Sequence, residues 1–242
     1  MKRLVPLKLL VSVKHLAPIV FSASLIIVSA CSTPEPIVSD SPISEGPYAG
    51  MTKVDKSQFE MFYLRDGEDL TRFKAVKFDP LELDNLEINQ GRLEMRDKKW
   101  DVTEEDKANL QKRFADRVAS NFPSDGPIPL TDKAGKNVLS VSFEFTKFIP
   151  TASPDTGNNR AMRGSVWTYS VGGLFMNAKL YDSETGELVA YLADAREIGD
   201  RQQLQRNDSV NNSRNINLEI NSWLNKLKST MSSLAAQQGA AN

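Results

Sequence analysis

The sequence predicts an α+β fold, a largely antiparallel sheet with two helices on one face, in the order β-α-β-β-β-α. Three observations carry this. The runs Val138–Phe148 and Leu174–Tyr181 alternate apolar and polar residues, the period of a half-buried strand. The runs Thr103–Phe122 and Asn215–Leu234 repeat apolar residues every three or four positions, the period of an amphipathic helix. Between the later strands lies Asp182-Ser183-Glu184-Thr185-Gly186-Glu187, a hairpin turn in which Gly186 supplies the left-handed conformation.

Phe73–Leu83 (FKAVKFDPLEL) reads as the first strand, with Val76 and Phe78 on one face. Leu81 and Leu83 change parity around Pro80, which predicts a bulge or an edge position. The preceding MFYLRDGEDLTRF reads as an extended lead-in that turns at Asp66-Gly67. In the first helix Thr103 is the cap, and Glu104, Glu105 and Asp106 occupy the turn where the helix dipole favours negative charge. Leu110, Phe114, Val118 and Phe122 form its apolar face, and Pro123 ends it. Leu139, Val141, Phe143 and Phe145 point inward from the second strand, and Leu174, Met176, Ala178 and Leu180 from the third. Leu188–Ala195 returns as the third strand's partner. The last helix carries Ile216, Ile220, Trp223, Leu227, Met231 and Leu234 as its stripe, with Trp223 read as core.

The amino terminus has a different composition. Residues 1–30 hold four Lys and Arg and no Asp or Glu, and Leu16–Ala30 is almost wholly apolar or small. A basic start, a short apolar run and small residues at its end describe a cleaved signal peptide, too short for a transmembrane span of about 20 residues. Val28-Ser29-Ala30-Cys31 resembles the bacterial lipobox. The resemblance implies cleavage before Cys31 and acylation at that residue, the only cysteine of the chain. Several acyl chains make an anchor persistent where one holds only marginally. Ser32, where an Asp would favour retention in the inner membrane, implies the periplasmic face of the outer membrane. Residues 31–50 then read as the lipidated cysteine and a Pro-rich tether, with a reach of up to roughly 60 Å at about 3 Å per extended residue. Residues 51–242 read as a single periplasmic domain.

Processing would change the chemistry available. The full chain has 30 Lys and Arg against 31 Asp and Glu; removing four basic residues leaves 26 against 31, a net charge of −5. A mildly acidic domain is a poor partner for nucleic acid. The single histidine, His15, leaves with the signal, so nucleophilic sites that need histidine and Cys/His metal sites are excluded. One cysteine also allows no disulfide within the chain. No cofactor is expected. Carboxylate pairs remain, but among so many acids no spacing singles one out.

The segment YDSETGELVAYLADAREIG (Tyr181–Gly199) resembles the hairpin and following strand of the DUF3313 family of bacterial lipoproteins. Phe59–Leu83 resembles that family's first strand region, and the helix around Trp223 its closing helix. The resemblance spans most of residues 59–234 and carries no established activity. The order of elements is also similar to the amino-terminal domain of TolB, to penicillin-binding-protein activator lipoproteins and to the curli secretion channel subunit. Those resemblances imply envelope work through partners or assembly.

The connection Pro150–Gly173 is the candidate contact surface. It is longer than an ordinary loop of a compact domain, and it carries Arg160, Arg163, Trp167 and Tyr169, residue types enriched at interface hot spots. The same aromatics would also serve as stacking platforms for a glycan. The polar stretch Asp200–Arg214 reads as a solvated loop, and Asp194 with Arg196 as a structural surface pair. The expectation is a non-enzymatic, membrane-anchored lipoprotein that docks to an envelope protein or self-assembles. A subunit of a secretion or pore assembly and a carboxylate-based cell-wall hydrolase remain as alternatives.

Overall fold

The computed structural model describes residues 34–91, 93, 100–154, 165–199 and 202–241. The signal peptide and Cys31 lie outside them, as do Arg160 and Arg163. Within the described residues the chain is α+β, with a mostly antiparallel sheet and two helices.

The strands are β1 (Ile37–Pro42), β2 (Met51–Asp55), β3 (Met61–Arg65), β4 (Ala75–Phe78), β5 (Glu87–Ile88), β6 (Val138–Pro150), β7 (Trp167–Thr168), β8 (Gly172–Asp182), β9 (Leu188–Ile198) and β10 (Gln205–Arg206). The helices are α1 (Glu104–Asn121) and α2 (Ser209–Ala241), with one 3-10 turn at Leu70–Arg72. The main sheet runs β1-β2-β3-β9-β8-β6-β4, and β5 pairs farther along β6. Every neighbour is antiparallel except β4 and β5, which lie parallel to β6. The predicted first strand is therefore an edge strand. Val76 pairs with Leu139 and Phe78 with Val141, the regular ladder breaks at Asp79-Pro80, and Glu82 meets Glu144 in a single bridge. The parity change at Pro80 is this break, which lets Leu81 and Leu83 join the core from a shifted register.

Both helices cover one face. The α1 cap is a complete capping box, with Thr103 accepting from the Asp106 amide and Asp106 from the Thr103 amide. Phe114 lies 5.4 Å from Phe143 and Phe122 lies 5.0 Å from Phe78, ring centre to ring centre. Trp223 of α2 packs 5.7 Å from Phe145. The two helices lie side by side, joined by Asn121 Nδ2 to Asn221 Oδ1 at 2.9 Å and by Lys228 Nζ to the Asn121 carbonyl at 3.0 Å.

Three features depart from expectation. The lead-in MFYLR is a full strand, β3, with Phe62 and Leu64 in the core, wedged between β2 and β9. Part of the stretch read as a tether, Ile37–Pro42, pairs with β2 as an edge strand whose side chains stay largely exposed. Just before it Pro36 is buried, and its carbonyl accepts from Gln237 Nε2 at 3.1 Å near the end of α2. Asp194 is not at the surface: it is 5 % exposed. Its carboxylate accepts from Trp223 Nε1 at 2.9 Å, Arg196 Nε at 3.0 Å and Lys226 Nζ at 3.1 Å. Trp223 is core, as its place in the stripe predicts, and Asp194 satisfies its one polar atom.

A second buried cluster ties the 3-10 turn to the β8–β9 hairpin. Arg72 donates to Glu68 at 2.8 Å and to Asp182, both acids buried. The hydrogen bond from Arg72 holds the Asp182 carboxyl below the usual carboxylate range, against the opposing effect of burial.

Candidate docking site

The stem of the long connection is built by backbone that tolerates no side chain at two points. Gly172, at φ +155°, opens β8 so close to Ile149 that a Cβ would collide with its carbonyl. Gly199, at φ +142°, sits equally close to the Tyr169 carbonyl. Both φ values lie where only glycine is at ease. The strands then lock through Thr151 N to Val171 O at 3.0 Å and Val171 N to Ile198 O at 2.7 Å.

Asn207 holds both legs of the connection. It is fully buried. Its Nδ2 donates to the Ser153 carbonyl at 2.9 Å on the outgoing leg, and its backbone N–H donates to the Val166 carbonyl at 2.7 Å on the returning leg. Its Oδ1 accepts from Asn212 Nδ2 at 2.9 Å, which ties the clamp to the first turns of α2. On the outgoing side Trp100 donates its indole N–H to the Ala152 carbonyl at 2.8 Å and stands edge-on to Phe148. Gln90 fixes the Trp100 backbone with one bond in each direction, at 2.7 and 2.9 Å.

Trp167 and Tyr169 follow directly from this clamp. Trp167 lies in the two-stranded ribbon β7–β10, opposite Arg206, and is 60 % exposed. Tyr169 is 50 % exposed. A groove of about 580 Å³ opens beside Trp167, bordered by Leu204, Arg214, Asn215 and Leu218. Leu204 and Leu218 are also more than half exposed. Trp167, Leu204 and Leu218 thus gather about one groove on a hydrogen-bonded frame, where isolated exposed residues would carry no meaning. Among the described residues its lining carries amides, two arginines and apolar groups.

The sequence singled out Trp167 and Tyr169 but not Asn207, Leu204 or Leu218, because Asp200–Arg214 reads as solvated loop. One signal was present. Leu218 is apolar yet lies off the stripe of Ile216, Ile220 and Trp223, so α2 has an apolar residue that its core does not use. Among the described residues no group of three or more His, Cys, Asp or Glu is placed to hold a metal ion, and no helix is long and apolar enough to cross a membrane.

Comparison with known proteins gives a family. The family model described as "Protein of unknown function (DUF3313)" matches residues 39–227, and the chain belongs to this family. No curated protein matches the sequence. Among solved structures, the chain is similar to a PelC dodecamer from Paraburkholderia phytofirmans, at 14 % identity and a TM-score of 0.36 over 68 % of this chain and 96 % of that one. It is also similar to protein XCC0632 from Xanthomonas campestris, of the DUF330 family, at 10 % identity and a TM-score of 0.39 over 73 % of this chain and 94 % of that one.

Proposed function

We propose that this DUF3313 protein is a non-enzymatic, lipid-anchored protein of the periplasm that docks onto an envelope protein through the face formed by Trp167, Tyr169, Leu204 and Leu218. The observation that carries the reading is the gathering of these exposed apolar side chains on the Asn207 clamp. Interfaces draw their energy from a few aromatic and arginine anchors that a partner desolvates. Trp167 beside Arg206 and Arg214 has that composition.

The anchor would be Cys31, by the lipobox and signal pattern, and the membrane the outer one, by Ser32. The described chain begins beside Gln237, where Pro36 meets it. The docking face borders Asn211–Leu218 of the same helix. At 1.5 Å per residue these lie about 30–40 Å apart.

Photo-crosslinking in intact cells tests the proposal, with a benzophenone amino acid replacing Trp167 and, as control, Glu187 on the distant hairpin. A discrete adduct with another envelope protein from Trp167 alone is expected. A regular ladder of homomers would replace docking by self-assembly. No adduct from a stable, correctly localised protein would overturn the reading.

A further inference from the structure

A crevice opens between the second half of α2, the segment that follows α1, and the edge strand β4. Its volume is about 370 Å³, within the range of about 300–1,000 Å³ found for small-molecule sites. A packed interior holds few voids larger than a water molecule. The lining is mostly apolar, including Phe73, Ala75, Ile128, Leu139, Met231 and Ala235. Each of these keeps part of its surface open. Leu139 is 7 % exposed, Phe73 and Met231 are 8 % exposed, and the other three are half-buried.

The charged side chains on this lining are both cationic, Lys74 and Lys228. Lys74 is exposed and Lys228 half-buried, so their aliphatic stems border the crevice and their ammoniums lie at its rim. Lys228 Nζ donates to the Asn121 carbonyl at 3.0 Å and stands 5.8 Å from the centre of the Phe122 ring. Lys74 Nζ donates to the Thr71 carbonyl at 2.8 Å. Phe122 and Thr71 also line the crevice, so both ammoniums are held beside it. An ammonium has three donors, and each of these spends one on a neutral carbonyl. Neither forms an ion pair with a described residue. Asp69 attracts Lys74 only from a distance, and its carboxylate accepts instead from the Thr71 amide at 2.9 Å and hydroxyl at 2.6 Å.

We propose that this crevice binds a single-chain anionic amphiphile, with the aliphatic chain in the crevice and the anionic head at Lys74 and Lys228. The apolar lining takes the chain out of water, and two cations on one rim select a negative head. Lysine acts as a point charge, so a carboxylate and a phosphate are equally suited. The head is thus that of a free fatty acid or of a single-chain lipid phosphate. The acyl groups proposed at Cys31 are not the occupant, because their carboxyl groups are tied in ester and amide bonds and carry no charge. The crevice borders Leu227–Ala235, whereas the docking groove borders Asn211–Leu218, so the proposal does not rest on the docking reading.

The full chain with Cys31→Ser, which removes the lipidation site and changes no described residue, is titrated calorimetrically with octanoate, octyl phosphate and octanol. Saturable binding of at least one anion is expected, about tenfold tighter than that of octanol, the scale of one charge-assisted hydrogen bond. A preference for octanoate would identify a fatty acid, and a preference for octyl phosphate a lipid phosphate. Lys74→Met, at an exposed position, should weaken the anion about tenfold and leave octanol unchanged. Ala235→Phe fills the crevice and should abolish binding; Ser232→Trp blocks it from an exposed position of the same helix and should do the same in a protein that melts normally. All these variants share one amino terminus, so binding there would survive them. No saturable binding, or full binding in both filling variants, would overturn the site. Equal affinity for octanol and both anions, or an unchanged anion affinity in Lys74→Met, would overturn the anionic head.

Discussion

Replacing Asn207 with alanine tests whether the long connection is held by a clamp or merely lies where it does. The side chain serves two buried groups at good distance, the Ser153 carbonyl and Asn212 Nδ2, each at 2.9 Å. The contact to the Ala152 carbonyl, at 3.5 Å, is too long to add much. Alanine leaves both groups unpaired. At about 1–3 kcal/mol for each buried group without a partner, the loss should be about 2–6 kcal/mol, with the lower value if water enters. The backbone bond from Asn207 to Val166 survives, so the returning leg stays tied while the outgoing leg is freed. Urea unfolding followed by circular dichroism measures the loss, and the crosslink from position 167 measures its effect on presentation of the face. Asn207→Asp should fare no better at neutral pH, because it sets a carboxylate against the Ser153 carbonyl. A loss below about 0.5 kcal/mol, the usual scale of an inert surface change, would refute the clamp.

Asp194→Ala should destabilise by about 3–5 kcal/mol, since it strands Lys226 and the Trp223 indole N–H in the core; a change in urea midpoint typical of a surface pair would contradict its burial. Arg72→Met should alter the acid limb of stability. The folded Asp182 carboxyl titrates below its unfolded value, so its contribution is complete above the ordinary carboxylate range, near pH 3.9, and is lost as pH falls through the lower folded value. The advantage of wild type over the variant should therefore be full at pH 7 and shrink below about pH 4, and a gap that stays constant with pH would show Asp182 to be uninvolved. Gly199→Ala should lower the melting temperature and displace Tyr169, because its Cβ needs space that the Tyr169 carbonyl fills; overpacking of this kind costs about 1–3 kcal/mol.

Elements with a clean period could be read from the sequence. Thr103 with Asp106, the four-residue spacing to Phe122 and the alternation of Leu139, Val141, Phe143 and Phe145 each carry their own signal, and each is found in place. The amino-terminal half of the sheet could not be read in this way. MTKVD and MFYLR are five residues each, too short to establish a period, and they become strands because β9 offers an open edge. Ile37–Pro42 is polar and proline-flanked, which suits a tether as well as it suits an exposed edge strand. The site was half legible for a related reason. Trp167 and Tyr169 announce themselves by type, whereas Asn207 is one of several amides in a polar run and gains its role only from the Ser153 and Val166 carbonyls, far from it in the chain. Asp194 was misplaced to the surface because a charged pair two residues apart looks solvated until α2 brings Trp223 and Lys226 against it.

The pairing of β3 with β9 has a consequence for how the molecule is made. Met61 lies opposite Ala193, 132 residues later in the chain. Until the second of these strands is in place, the three amino-terminal strands have each other and no sheet to join. Phe62 and Leu64, which end in the core, remain uncovered until the last hairpin arrives. Closing the sheet is thus a late step with a long loop to bring together, of the kind that slows folding. The segment that precedes it would profit most from a holding chaperone.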